Sequence, residues 1–130
     1  MTGKRAESFQ KCQTDFYGFL SHPDSLFGNG AEICFSVMSE AEIYSHVQSG
    51  EEAVVRTLFD SLTRLDINGE IARKAGEYRA QYLRSHGLAL PDALIAATAF
   101  VVGASLITRN VRHYPMTDLE IAAPYVLTNQ

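Results

Sequence analysis

The chain is poor in the features that most quickly assign a function. It has two cysteines, Cys12 and Cys34, in no metal-ligand spacing and too few for a disulfide framework. A reducing, cytoplasmic setting is the default that follows. It lacks an excess of positive charge: the formal net charge is -4, which argues against a general polyanion binder. The first ten residues, MTGKRAESFQ, lack the apolar core of a signal peptide. The longest apolar run, residues 93 to 104, is too short to span a bilayer and is interrupted by Thr98. No glycine-rich phosphate loop follows a strand, which weighs against a nucleotide-binding domain. Histidine and cysteine form no cluster, and internal repeats and low-complexity linkers are absent.

What is present is one domain's worth of ordinary globular sequence. The length of 130 residues suits a single core, with 46% apolar and 20% charged residues. Charge is uneven. Residues 56 to 112 hold eight Lys/Arg against five Asp/Glu, and the rest is acidic. A basic stretch beside acids is compatible with an anionic substrate.

Periodicity predicts alternating helices and strands. Phe9, Cys12, Phe16 and Phe19 share one helical face over 6–20, followed by a turn-rich loop over 21–31. Residues 33–38 read as a buried strand. Ser39 begins a helix that ends near Gly50, with Ser-x-x-Glu placing Glu42 as the second half of a capping box. A helix over 51–65 buries Val54, Val55, Leu58, Phe59, Leu62 and Leu65. A short strand is possible over 65–67. Asn68 caps a long helix to about His86, with Tyr78 and Tyr82 on its core side and Gly87 as the stop. Pro91 opens a helix that Gly103 closes. Strands are expected over 105–108 and 119–121. This alternation suggests an α/β sandwich with a mostly parallel sheet.

In such folds ligands bind at the carboxyl ends of the strands. Glu42 follows the first strong strand, Asp92 heads a helix, and Asn110 follows the strand over 105–108. Three oxygen-bearing side chains then converge on one edge. Oxygen donors without histidine or cysteine suit Mg2+ or Mn2+. A divalent ion so held can polarise a phosphoryl oxygen and lower the pKa of a bound water.

Three stretches, ICFSVMSEAEIY, LPDALIAATAFVVGASLITRNVRHY and the late DLEI, resemble a PIN domain, most closely the VapC-type toxins of bacterial toxin–antitoxin pairs. The resemblance covers about residues 33 to 121. Its specific part is an Asp opening an Ala-rich helix, then Gly-Ala, then a strand ending Thr-Arg-Asn. It implies a three-layer α/β/α sandwich that gathers acids around Mg2+ or Mn2+ and cuts RNA, with Glu42, Asp92 and Asn110 as catalytic residues. It also implies a cognate antitoxin and a homodimer. Carried over by position, Glu42 and Asp92 are the metal ligands, and Thr108, Arg109 and Arg112 are candidates for substrate contact. Where the family often has an acid, this chain has His113.

The pattern breaks at the start. The family opens on an apolar strand ending in an essential Asp, and residues 1–14 contain no such strand. The strand is lost, rewritten or encoded upstream. Residues 1–32 are therefore a divergent N-terminal segment of a single PIN-like domain spanning 1–130. Asp15 lies about where the missing acid belongs and is a weaker third candidate for the metal. The same break favours a second reading, a catalytically impaired module that binds protein or RNA. Blander roles stand beside each assignment. Glu42 serves a capping box, Asp92 favours the positive end of its helix, Asn110 forms a turn, and Glu40 is a solvated first-turn acid.

Overall fold

A computed structural model describes residues 19–22 and 32–123. Five strands form one sheet: β1 (Phe19–His22), β2 (Glu32–Ser36), β3 (Thr63–Leu65), β4 (Ser105–Ile107) and β5 (Ile121–Ala122). Among the described residues, four α-helices accompany them: α1 (Val37–Tyr44), α2 (Glu52–Asp60), α3 (Gly69–His86) and α4 (Leu90–Val102).

The strand order is β3-β2-β1-β4-β5. β2 pairs parallel with β3, and β4 with β5. β1 lies between β2 and β4 and runs antiparallel to both. The outer four strands therefore share one direction and the central one is reversed. Chain length explains the reversal. Only residues 23–31 join β1 to β2, whereas a parallel connection needs a crossover of a dozen or more residues. The central position is thus filled, by a strand of the opposite sense. Phe19 sits opposite Phe35 and Ile107, so β1 begins at the edge where β2 and β4 end.

Several element boundaries differ from expectation. Phe19–His22 is strand, where a helix end and a loop were expected; Phe9, Cys12 and Phe16 lie outside the described residues. The strand expected over 33–38 ends at Ser36, and the cap of α1 is Ser36, whose hydroxyl accepts from the Met38 N–H at 3.0 Å. Ser39 is buried inside the helix, so the Ser39–Glu42 capping box does not form. An earlier Ser with extended backbone won the cap. α1 ends at Tyr44 rather than near Gly50. α2 stops at Asp60, leaving Thr63–Leu65 free to join the sheet.

Two hydrophobic clusters lie on opposite faces of the sheet, because neighbours in a strand point opposite ways. Cys34 joins Ile71, Ala75, Tyr78, Ala96 and Leu106 under α3 and α4. Phe35 joins Ile43, Val55 and Phe59 under α1 and α2. The result is a three-layer α/β/α sandwich. Val54, expected in the buried stripe of α2, is instead exposed, and Tyr82 only lies partly buried against the core.

α3 and α4 pack against each other and are joined by residues 87–89. Asn68 caps α3, its side-chain oxygen accepting from the Ile71 N–H at 2.9 Å. Gly87 ends α3 with φ 62°, a left-handed conformation that glycine adopts without Cβ strain. In α4, Ala93, Ile95, Ala96, Ala97, Thr98 and Ala99 are all buried. Their small size lets α3 and the sheet approach closely. The buried Thr98 hydroxyl is satisfied by donating to the Leu94 carbonyl at 2.8 Å. Replacing Asn68 by Ala removes a cap and is expected to destabilise the fold by about 1 kcal/mol. Thermal melting checks this, and Asn68→Gly should lose clearly less.

Candidate active site

The site lies where α4 begins and β4 ends. Asp92 is the third residue of α4, and the helix has Pro91 in its first turn and no side-chain cap at Ala89. Free N–H groups and the helix dipole there favour a carboxylate. The Asp92 side chain is 24% exposed. Its Oδ1 accepts a hydrogen bond from the Tyr114 hydroxyl at 3.2 Å, and its Oδ2 lies 3.9 Å from His113 Nδ1.

Glu42 lies on α1, which packs against α4. It is half-buried and reaches the same place electrostatically. The Tyr114 pKa is raised well above its ordinary value, first by burial, then by the charge and hydrogen bond of Asp92, and then by the charge of Glu42. Tyr114 is 5% exposed. Both acids thus act on one buried hydroxyl. Sequence reasoning passed over Tyr114. The signal was present: an aromatic hydroxyl directly after His113, in a short turn that puts neighbours on opposite sides.

That turn is a 3-10 helix at Val111–His113, with Asn110 at its head. Thr108, expected to contact substrate, is fully buried. Its hydroxyl oxygen accepts the Asn110 N–H at 3.0 Å, and its own N–H donates to the Ala122 carbonyl at 2.9 Å. Its side chain holds Asn110 at the end of β4, and it is not among the residues that line the cleft. Arg109, Asn110, Val111, Arg112 and His113 line a cleft of about 480 Å³. Arg109, Arg112 and His113 are exposed there.

Asp15 lies outside the described residues. Among the described residues, no three His, Cys, Asp or Glu side chains group as a metal cage. Mg2+ takes one or two carboxylates and completes its shell with water and substrate phosphate, so the donor chemistry of a carboxylate pair is compatible with it. Glu40, expected as a solvated acid, instead binds Arg64 of β3 through two contacts of 2.8 Å. That pair fastens α1 to the sheet and takes Glu40 out of the site.

The other polar cluster is structural. Tyr78 donates to Asp118 Oδ1 at 2.7 Å, and Lys74 Nζ lies 3.1 Å from Oδ2. Lys74 also sits 4.1 Å from the Phe100 ring centre. Burial acts to raise the Asp118 pKa, but the Tyr78 hydroxyl and then Lys74 outweigh it and hold the carboxyl below its ordinary value. A depressed folded pKa gives stability that is complete above the unfolded value and is lost as pH falls through the folded one. Asp118→Asn is therefore expected to flatten the acid limb of a stability–pH curve below about pH 4. Chemical denaturation across that range checks it.

Comparison with known proteins agrees with this architecture. The PIN domain family model matches residues 18–118. Ribonuclease VapC19 of Mycobacterium tuberculosis is 39% identical over 101 residues, covering 77% of this chain and 80% of that protein. Ribonuclease VapC10 of the same organism is 36% identical over 96 residues, covering 73% and 71%. With its sandwich fold, its acid-headed helix and these relatives, the chain belongs to the PIN domain family and is of the VapC type.

Proposed function

We propose that this chain is a Mg2+- or Mn2+-dependent endoribonuclease, the toxin of a toxin–antitoxin pair. The observation that carries the proposal is Asp92 at the head of α4, hydrogen-bonded to the buried Tyr114 hydroxyl and close to His113, a residue of the cleft that two arginines also line; the charge of Glu42 on α1 also acts on that hydroxyl. The relatives' designation as ribonucleases supports it.

Asp92 and Glu42 would hold the ion. When bound, a divalent cation polarises a phosphoryl oxygen and lowers the pKa of a coordinated water. The chain's own residues supply the rest. Arg109 and Arg112 offset the repulsion between the carboxylates and a phosphodiester and hold the strand in the cleft. Asn110, held by Thr108, offers an amide to orient substrate or water. His113 stands between Asp92 and the cleft, within reach of a phosphate oxygen. β1 begins at this same edge, with Asp15 four residues earlier in the sequence. Asp15 is thus proposed as a further carboxylate of the site.

The RNA substrate is joined by two protein partners in this proposal, a cognate antitoxin and a second copy of the chain. Leu90 and Phe100 of α4 leave large apolar side chains exposed for such contacts. The setting is cytoplasmic, and among the described residues no helix is long and apolar enough to cross a membrane.

Cleavage of a structured RNA in Mg2+ or Mn2+, its loss on chelation and its return on adding the metal back would support the enzyme. The second reading, an impaired PIN-like interaction module, is favoured by the lack of the family's Asp-bearing first strand in residues 1–14. It prevails if the chain binds protein or RNA yet cuts no RNA at any metal concentration.

A further inference from the structure

Resting on the nuclease proposal, we propose that Tyr114 is a positioning residue that sets the orientation of the Asp92 carboxylate for a divalent cation. Three observations carry this. Tyr114 is almost wholly buried and belongs to the core cluster that includes Ala93, Ala97 and Met116. Its hydroxyl donates to Asp92 Oδ1 at 3.2 Å. The other oxygen, Oδ2, lies 3.9 Å from Nδ1 of His113, a residue that lines the cleft.

A carboxylate on the first turn of a helix has a broad terminal torsion and takes up many orientations. A hydrogen bond from a ring locked in the core selects one of them. One oxygen is fixed by the protein, and this sets the position of the other, 3.9 Å from His113 Nδ1. Groups that orient a metal ligand in this way are commonly worth 10- to 100-fold in affinity or activity, in order of magnitude. The 3-10 turn makes the arrangement possible. It places His113 at the surface and Tyr114 in the interior, one residue apart.

Tyr114→Phe tests the idea, because it keeps the buried ring and removes only the hydroxyl. Mn2+ is titrated calorimetrically into the full-length wild type, Tyr114→Phe and Asp92→Asn, and each is melted without metal. The expected result is an Mn2+ Kd raised about tenfold in Tyr114→Phe. Its melting temperature should stay close to wild type, and cleavage should recover as Mn2+ is raised. An unchanged Kd in Tyr114→Phe overturns the positioning role and leaves the nuclease proposal standing. So does a loss of affinity that only follows a large fall in melting temperature. If the wild type takes up no Mn2+ at all, the nuclease proposal fails and this inference falls with it.

Discussion

Replacing Asp92 by Asn is expected to lower RNA cleavage by at least about 100-fold, equivalent to about 2.7 kcal/mol of transition-state stabilisation. The substitution keeps size and shape. An amide oxygen can still accept from Tyr114, so the hydrogen bond at Oδ1 survives. What disappears is a negative charge available to a divalent ion. Removing a group that only orients a ligand commonly costs 10- to 100-fold in order of magnitude, so removing the ligand's charge should reach or exceed that range.

The competing role for Asp92 is interaction with the positive end of α4, worth about 0.3–1 kcal/mol. The two roles predict different things. A dipole role lowers the melting temperature slightly and leaves catalysis alone. A metal role removes catalysis and leaves the fold. Single-turnover cleavage at saturating Mg2+, alongside melting of the same preparations, separates them. Wild-type turnover in Asp92→Asn would end the case for this carboxylate at the reaction centre. Glu42→Gln should lose activity in the same direction.

Replacing Phe35 by Ala is expected to destabilise the protein by about 3–5 kcal/mol. Domains of this kind have only about 5–15 kcal/mol in total. Phe35 is fully buried on β2. Its ring lies 4.6 Å from that of Phe59, centre to centre, and the Arg64 guanidinium is 5.4 Å from the same centre. Ile43 and Val55 complete the cluster. Among the described residues this cluster is the smaller of the two. The same ring bears on how α1, and with it Glu42, rests on the sheet. Activity at 25 °C should therefore fall along with the melting temperature. Urea denaturation checks the stability. A loss under 1 kcal/mol would mean that the α1–α2 layer contributes little to the cooperative unit.

The α3–α4 pair was legible in the sequence almost residue by residue. Asn68, Gly87, Pro91 and Gly103 act through local backbone chemistry, and such chemistry needs no tertiary partner. The same holds for Asp92 at the head of an apolar helix. Boundaries around α1 were harder to read, because Ser36 and Ser39 are equally good caps by composition. The choice between them depended on how far β2 extended in the sheet. Glu40 looked solvated because its partner, Arg64, lies 24 residues away.

By itself the sequence determined the α3–α4 pair and its end signals, the two-sided apolar pattern of an α/β sandwich and the acids worth testing. All of these follow from side-chain chemistry within a few turns of the chain. Only the tertiary structure decided that β1 runs against its neighbours, that Thr108 is buried beneath Asn110, and that Tyr114 joins Asp92 to the core. Those outcomes turn on strand pairing and on contacts between distant segments, where energies depend on which surfaces meet and not on what each segment prefers alone.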